Sequence, residues 1–379
     1  MASRPRFLLT FLAWAGGLSG GDRHLLEVAA HWREHVDLAV LAPPQGLPTF
    51  RAFLGDVPAY ELGSTGARRA SAGGALAMEY VRRAGTVSVR KPPAADVVVA
   101  ASHFTPDGAA LAALVRNGAL GVGYVYHLIA RRSGFGPRTM WSKGDERVGL
   151  ALFRRFASVV FASNTPTVEA LVARGFSPVR TAVGVDLASF RQATPQHFPP
   201  RAAFVARMGR TKGVVDAVRA WAQVRRAVPE ARLVMVGAGP EREAGEALAR
   251  QLGISTAVEW RGFVSEAEKR QILSESRLLV APSYEEGWGI SVCEAMASGV
   301  PVVAYRLAVL DELFGAAYLG AEPGDVDGLV DLIMRVLTDD SVAKALSEQG
   351  RESAARYDVA RVAAEELGVI LERLAECAS

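Results

Sequence analysis

The sequence predicts an α/β protein built from two doubly wound parallel-sheet domains. Short apolar runs alternate with amphipathic helical runs along most of the chain, which is typical of a parallel sheet covered by helices on both faces. The alternation restarts after a proline-rich segment, QATPQHFPP at residues 192–200, near the middle of the 379-residue chain. A chain of this length is also long enough for two domains of ordinary size.

The first half carries the elements of one such domain. Helical runs lie at 24–32 and 108–115, and residues 46–93, rich in Gly, Ala and Arg, are interpreted as long connections. The strand-like runs are residues 7–13, 36–41, 96–101, 121–126 and 158–162.

The second half repeats the pattern and then ends in two helices, 325–338 and 359–375. The predicted domains are therefore 1–192 and 193–358, followed by a separate C-terminal helix within 359–379. The strands are predicted at 202–207, 232–236, 258–261, 278–281 and 300–305, and the helices between them at 214–227, 241–252, 266–275 and 290–297.

The N-terminal run FLLTFLAWA follows Arg4 and Arg6, so it resembles a signal peptide as well as a strand. We favour a first β-strand, because the run is short and leads into glycines that open an amphipathic helix, DRHLLEVAAHW. Those glycines are Gly16, Gly17, Gly20 and Gly21. No segment reaches the roughly 18 apolar residues of a membrane span. Since two cysteines make no disulfide framework, we expect a reducing, cytoplasmic setting.

The charge of the chain is unevenly distributed. Residues 1–191 carry a net charge of +9 and residues 192–379 carry −6, although the whole chain is only +3. A basic half attracts an anionic acceptor or the inner face of an anionic membrane, and an arginine-rich composition without a role is the alternative. No block of Lys and Arg interleaved with aromatic residues points to nucleic acid. The arginines in question are Arg131, Arg132, Arg138, Arg154 and Arg155.

The most informative motif is APSYEEGWGISVCEAMASGVPVV at residues 281–303. An apolar strand turns through Gly287 and Gly289 into a helix, which is an arrangement that binds anions through free N–H groups and the helix dipole. The motif also carries Glu286 and Glu294, eight positions apart. Because a bare phosphate repels carboxylates, we expect these two to bind hydroxyl groups, and a nucleotide-sugar supplies both chemistries. An ordinary strand–loop–helix with solvated Glu residues is the alternative.

Three further loops follow strands in the second half. Arg207 and Lys212, with Arg210 as a weaker candidate, can neutralise charge that develops on a departing phosphate. The loop at residues 237–240, which begins with Gly237, allows a backbone to approach a ligand closely. The loop at residues 262–264 is predicted to lie against a nucleotide base and comprises Gly262, Phe263 and Val264.

In this order and spacing the motifs resemble the donor-binding domain of the GT-B glycosyltransferases, in particular the retaining family 4 group (glycosyl transferases group 1). The segments that carry the resemblance are Arg207 with Lys212, GAGP, RGFV, and E-x7-E, with SGGDRHLLEVA and YVYHL matching more weakly in the first half. The resemblance implies two Rossmann-like domains facing a central cleft, and a last helix that crosses back to the first domain.

The resemblance also implies residue roles. Glu294 would bind the ribose, and Glu286 the hydroxyls of the donor sugar. Backbone N–H groups of Trp288, Gly289 and Ile290 would hold the pyrophosphate or the sugar. Arg207 and Lys212 would stabilise the departing diphosphate.

In the first half, the resemblance gives His127 a place in the sugar site. It gives Gly20 and Gly21 a loop that approaches the phosphates and the acceptor. The chain departs from the family at Leu128, where many members carry an acidic residue, and this bears on the substrate.

No cofactor is expected, because the nucleotide-sugar is a co-substrate, and no metal is expected, because the sequence has no cluster of His and Cys ligands. The only D-x-D, Asp325 and Asp327, precedes an apolar helical run and suits a helix start. The predicted function is transfer of a sugar, UDP- or GDP-linked, to a glycan, lipid-linked or small-metabolite acceptor with retention. A GT-B nucleotide-sugar epimerase and a non-catalytic nucleotide-sugar-binding subunit are the alternatives.

Overall fold

A computed structural model describes residues 4–14, 18–62, 79, 82, 83, 85, 94–116, 118–128, 137–190 and 200–378. The chain divides into two compact units. One unit comprises Met1–Gly184 together with Val359–Ser379, and the other comprises Val185–Asp358. The sequence placed the boundary at residue 192, eight residues later.

The elements are numbered in chain order. Up to the division they are β1 (Arg6–Thr10), α1 (Gly20–Trp32), β2 (Asp37–Ala42), α2 (Leu47–Leu54), β3 (Ala59–Glu61), β4 (Val97–Ala100), α3 (Thr105–Val115), β5 (Leu120–Val125), α4 (Pro137–Phe156), β6 (Val159–Ala162), α5 (Thr165–Val172) and β7 (Val179–Arg180).

After the division they are α6 (Leu187–Phe190), β8 (Arg201–Val205), α7 (Val214–Ala227), β9 (Arg232–Val236), α8 (Arg242–Gln251), β10 (Val258–Gly262), α9 (Glu266–Ser274), β11 (Leu278–Ala281), α10 (Ile290–Ala297), β12 (Val302–Tyr305), α11 (Ala308–Phe314), β13 (Leu319–Ala321), α12 (Val326–Thr338), α13 (Asp340–Ala355) and α14 (Val359–Ala378).

The first unit is a seven-stranded parallel sheet in the order β3-β2-β1-β4-β5-β6-β7. β1 lies in its interior and pairs with both β2 and β4, so the prediction of a first strand at the N-terminal apolar run is confirmed. After the exposed Arg6, its side chains are buried on both faces, as expected for a central strand of a parallel sheet.

The C-terminal helix α14 packs into the first unit. Val362, Leu367 and Ile370 are buried in the same apolar cluster as the strands of that sheet, and the indole N–H of Trp32 donates to the carbonyl of Ala363 at 2.9 Å. The carboxylate of Glu366 is buried there as well, and its partners are side chains of the first unit. They are His24 (3.2 Å), Tyr124 (2.6 Å) and Thr181 (2.6 Å).

The second unit is a six-stranded parallel sheet in the order β10-β9-β8-β11-β12-β13. The chain runs from β8 outward through β9 to β10, and then returns to the other side of β8 at β11. The strand order therefore reverses between β8 and β11, and such a switch point is where open α/β sheets bind ligands. The predicted fold class, two Rossmann-like doubly wound domains, is confirmed.

The prediction of two helices at the end of the chain is wrong, because the structure has a third helix, α13, between them. Asp339 caps it by accepting from the N–H groups of Ser341 and Val342, only one residue after α12 ends. Within residues 46–93, the structure has α2 and β3, whereas residues 63–78 and 86–93 lie outside the described part of the chain. Among the described helices, none is long and apolar enough to cross a membrane.

Candidate functional site

Two loops of the second unit meet at the β8–β11 switch point. One follows β8 and contains Lys212 and Gly213; the other follows β11 and contains Pro282 and Tyr284. The N–H of Tyr284 donates to the carbonyl of Thr211 at 2.8 Å. Gly213 adopts a φ of +68°, and a Cβ there would overlap the carbonyl oxygen of Pro282. Only glycine allows the loops to lie this close.

Lys212 and Glu286, both predicted site residues, are brought together by this contact. The Lys212 ammonium nitrogen lies 2.7 Å from a Glu286 carboxylate oxygen and 3.1 Å from the carbonyl oxygen of Glu285. Both side chains are partly buried. A positive group and a negative group therefore lie side by side at the carboxyl edge of the sheet.

Behind this pair lies a network that the sequence did not reveal. Asp216, buried on the first turn of α7, accepts from the hydroxyls of Tyr284 at 2.5 Å and Tyr305 at 3.0 Å. The hydrogen bond to Asp216 raises the pKa of Tyr284, and burial raises that of Tyr305. Both phenols therefore stay neutral donors, and they fix the loop after β11 to the sheet.

The loop ends at the N-terminus of α10. Gly289 precedes the helix with a φ of +98°, and no side chain caps it. The first N–H groups of a helix have no acceptor within the helix, so this end is open to an anion. The side chain of Trp288 points away into a buried aromatic cluster with Phe314 and Tyr357. Only the backbone of Trp288 is therefore placed for the predicted role, and Ile290 begins the helix as predicted.

Glu294 lies one turn further along α10 and is only 1% exposed. One of its carboxylate oxygens is 2.7 Å from the ammonium nitrogen of Lys269, which lies on α9 and is 8% exposed. The sequence analysis did not identify Lys269. Helical spacing could have identified it, because it places Lys269 with Ile272 and Leu273 on the buried stripe of α9, where a lysine is unusual.

The loop that begins with Gly237 lies against the end of β8. A Cβ at Gly237 would overlap the carbonyl oxygen of Ala206, and its φ is +125°. Its N–H donates to the carbonyl of Gly262 at 2.7 Å, which links the loop to the end of β10. The glycine is required both by its backbone angle and by the close approach.

Phe263 follows Gly262 at the end of β10 and is 86% exposed. A large aromatic side chain that contributes nothing to the core is available to stack on a flat ligand. Val264 is partly buried beside it. On the β8 side, Arg207 and Arg210 are exposed and Met208 between them is buried.

The remaining predicted residues lie in the first unit. His127 is exposed, two residues beyond β5. Gly20 and Gly21 were predicted in a loop, which is wrong, because they form the first turn of α1. Ser19 and Asp22 make a capping box that starts the helix at Gly20. A Cβ at Gly21 would overlap the ring of Tyr126.

The first unit has its own switch point, between β1 and β4, and Asp107 lies there. Asp107 accepts from the hydroxyls of Thr10 (3.0 Å) and Ser102 (2.7 Å) and from the N–H of Leu12 (2.7 Å). Burial raises the pKa of Asp107 to about 7. This carboxyl group fixes the chain that leaves β1.

Across the described ranges, no cluster of three or more His, Cys, Asp and Glu side chains is placed to hold a metal ion. The D-x-D acids lie at a helix start as predicted: Asp325 caps α12 by accepting from the N–H of Gly328, and Asp327 lies in the first turn. The Asp327 carboxylate also accepts from the side chain of Gln223.

An open helix N-terminus, cations and partly buried carboxylates at a parallel-sheet switch point are the features of a nucleotide-binding α/β domain.

The family comparison is more specific. Residues 188–353, nearly all of the second unit, match the model of the family described as glycosyl transferases group 1. The second unit is therefore similar to a group 1 glycosyl transferase domain, and the resemblance predicted from the motifs is confirmed.

Curated relatives match over part of the chain. The 2-deoxystreptamine glucosyltransferase of Streptomyces kanamyceticus is 34% identical over 164 residues, which is 43% of this chain and 42% of that protein. The glycogen synthase of Mycobacterium tuberculosis is 29% identical over 173 residues, or 45% and 42% of the two chains. The match thus spans less than half the length of these relatives.

Solved structures share the fold over nearly the whole chain. HepE of Anabaena, in complex with UDP and glucose, has a TM-score of 0.78 at 18% identity and covers 97% of this chain and 99% of its own. Sucrose-phosphate synthase of Thermosynechococcus elongatus has a TM-score of 0.77 at 17% identity, with coverage of 98% and 100%.

Proposed function

We propose that this protein is a hexosyltransferase that moves a sugar from a nucleoside-diphosphate sugar to an acceptor hydroxyl. The observation that carries the proposal is the pair formed by Lys212 and Glu286 at the β8–β11 switch point. A nucleotide-sugar has phosphates that need a cation and sugar hydroxyls that need a carboxylate, at neighbouring positions. The family match and the UDP bound to HepE support the same ligand class.

The diphosphate would bind at the N-terminus of α10. The N–H groups of Trp288, Gly289 and Ile290 would donate to its oxygens, and Lys212 and Arg207 would neutralise the charge that develops as it departs. Glu286 would accept hydrogen bonds from the sugar hydroxyls. Lys212 and Glu286 are held side by side by one pair of loops, which supports these roles.

The nucleoside would extend from there along the carboxyl edge of the sheet. Glu294 would bind the ribose hydroxyls, and the base would lie against Gly262, Phe263 and Val264. The exposure of Phe263 supports this placement, since stacking on a base would cover it. Gly237 would let the chain approach the phosphates.

The reaction would proceed with retention of configuration. The bond between the anomeric carbon and the phosphate oxygen breaks through an oxocarbenium-like state, and the acceptor oxygen bonds to the same face. The departing phosphate oxygen takes the proton of the acceptor hydroxyl. The proposed reaction has no step that uses a metal ion.

We assign the acceptor to the first unit, with His127 and the chain around Gly20 and Gly21 as contributors. The names of the relatives include a small molecule, 2-deoxystreptamine, and a polysaccharide, glycogen. The proposed acceptor is accordingly a hydroxyl of a glycan, a lipid-linked sugar or a small metabolite, and the donor base is uracil or guanine.

Calorimetry with UDP, GDP, ADP and dTDP tests the donor site directly. The wild type should bind one nucleotide well, and Glu294→Ala should bind it at least tenfold more weakly. If the wild type binds none of the four, the proposal fails. A screen of the corresponding nucleotide-sugars, with and without acceptors, then separates transfer from epimerisation and from binding without turnover.

A basic and apolar face of α4 supports a peripheral contact with an anionic membrane. Met140, Trp141 and Val148 are exposed there, and Arg147, Arg154 and Arg155 are exposed on the same helix. Arg131 and Arg132 lie outside the described residues, as does the side chain of Arg138. Sedimentation with phosphatidylglycerol vesicles should exceed that with phosphatidylcholine vesicles and should fall for Arg154→Glu. Equal sedimentation with both would count against the contact.

A further inference from the structure

We propose that Lys269 is a positioning residue that holds the Glu294 carboxylate for the ribose of the nucleotide. The inference rests on the proposed function, because it assumes that Glu294 binds ribose. It adds a residue to which neither the family pattern nor the spacing of the motifs assigns a role.

The geometry points to this role. The Lys269 ammonium nitrogen lies 2.7 Å from Oε1 of Glu294 and 2.9 Å from Oε2 of Glu266, which lies one turn earlier on α9. Glu294 and Lys269 are both buried, whereas the side chain of Glu266 is 44% exposed. The ammonium thus contacts one oxygen of Glu294 from the α9 side, and it also contacts the more exposed carboxylate of Glu266 on its own helix.

Stability alone does not account for the pair. Lys269 occupies the buried stripe of α9 beside Ile272 and Leu273, and an apolar residue there would extend the core. A buried ion pair is often no more stable than apolar residues of similar volume, because both ions lose their hydration. A buried ammonium beside a carboxylate in a ligand site is instead explained if the carboxylate must stay charged and fixed in orientation.

The bond to Lys269 is compatible with ribose binding. A carboxylate has two oxygens with about four lone-pair positions, so it can accept from an ammonium and from hydroxyl groups at once. The α9 helix begins directly after the loop that contains Phe263, and Lys269 therefore connects the predicted base contact to the predicted ribose contact.

The test compares ribonucleotides with deoxyribonucleotides. For whichever of UDP, GDP and ADP the full-length wild type binds best, calorimetry gives the affinity for that nucleotide and for its 2′-deoxy form. We expect the wild type to prefer the ribonucleotide. Lys269→Met, which keeps an unbranched side chain but removes the ammonium group, should lose about tenfold in affinity for the ribonucleotide and little for the deoxy form. Lys269→Arg, which keeps the charge, should recover most of the preference.

A double-mutant cycle tests whether Lys269 acts through Glu294. Adding Lys269→Met to Glu294→Gln should cause little further loss, because the carboxylate that Lys269 positions is already gone. Glu266→Gln is the matched control, since it removes the exposed partner of Lys269 and leaves the buried pair. It should keep both affinities within about twofold. If Lys269→Met does not fold, as judged by thermal unfolding, Lys269→Gln replaces it in the cycle.

Three results would overturn the inference and leave the donor site in place. They are equal losses for both nucleotide forms, losses that multiply in the double variant, and a wild type without preference for the ribonucleotide. A wild type that binds none of the nucleotides would overturn the proposed function and this inference together.

Discussion

The ammonium nitrogen of Lys212 lies 2.7 Å from a carboxylate oxygen of Glu286, although the two residues are far apart in the sequence. Glu285, the residue before Glu286, is already 73 positions after Lys212. The pair joins the two loops at the switch point of the second unit. Each residue partly neutralises the other, and we therefore expect a ligand with phosphates and hydroxyls to exchange this contact for separate contacts with each group.

Removing the Glu286 charge should therefore strengthen the binding of a bare nucleoside diphosphate. For Glu286→Gln we expect an affinity about threefold higher, because Lys212 is released to the phosphates, whereas Lys212→Gln should lose about tenfold. Glu285→Gln is the control, because it removes the same charge from the adjacent position. Calorimetry at two salt concentrations measures these effects. Equal gains in the two glutamate variants would attribute the effect to net charge alone.

Gly237 should tolerate no side chain. Gly237→Ala combines a φ of +125° with overlap of the Ala206 carbonyl, so we expect a loss of about 3 kcal/mol in the free energy of unfolding and weaker nucleotide binding. Gly253→Ala separates the two causes, because Gly253 has a φ of +70° and nothing within 4 Å of the added Cβ. It should cost about 1 kcal/mol and leave binding unchanged. Urea denaturation of both variants checks this, and equal losses would contradict the steric argument.

Phe263 should matter for binding and not for stability. Because its side chain is 86% exposed, Phe263→Ala should change the free energy of unfolding by less than about 0.5 kcal/mol. Stacking on a base is worth about 1–3 kcal/mol, so nucleotide affinity should fall about tenfold. Val172→Ala, at an exposed position of the first unit, should alter neither quantity. An unchanged affinity of Phe263→Ala would show that the base does not bind at this loop.

Asp107 should give the protein a pH-dependent component of stability. Burial raises its pKa to about 7, well above the ordinary value of 3.8. The folded state therefore keeps a proton that the unfolded state has released, and the associated stability is fully present below about pH 4. It is lost as the pH rises towards about 7, by an amount on the order of a few kcal/mol.

Asp107→Asn does not titrate and should lack this component. The stability advantage of the wild type over the variant should therefore shrink as the pH rises from 4.5 to 7.5 in urea denaturation experiments. Parallel pH profiles of the two proteins would show that Asp107 does not hold its proton in the folded state.

Much of the site could be predicted because each of its motifs is local. The helix bounds of α7 and α10 match the predicted ranges, since the apolar spacing and the glycines before each helix define its start. The prediction that relied on glycines alone is wrong. Gly20 and Gly21 were assigned to a loop, although the Ser19–Asp22 capping box was visible in the sequence and starts the helix. Helix α13 was missed because only Asp339 separates it from α12.

A basic loop after one strand and an acidic, glycine-containing loop after another are recognisable from the sequence alone. The sequence does not show that these strands, β8 and β11, are neighbours, because strand order depends on how the whole sheet packs. The same holds for Lys269 and Glu294. The helical spacing places Lys269 on a buried stripe, but its partner is set by the packing of α9 near α10, and no local rule specifies a contact between side chains 25 residues apart.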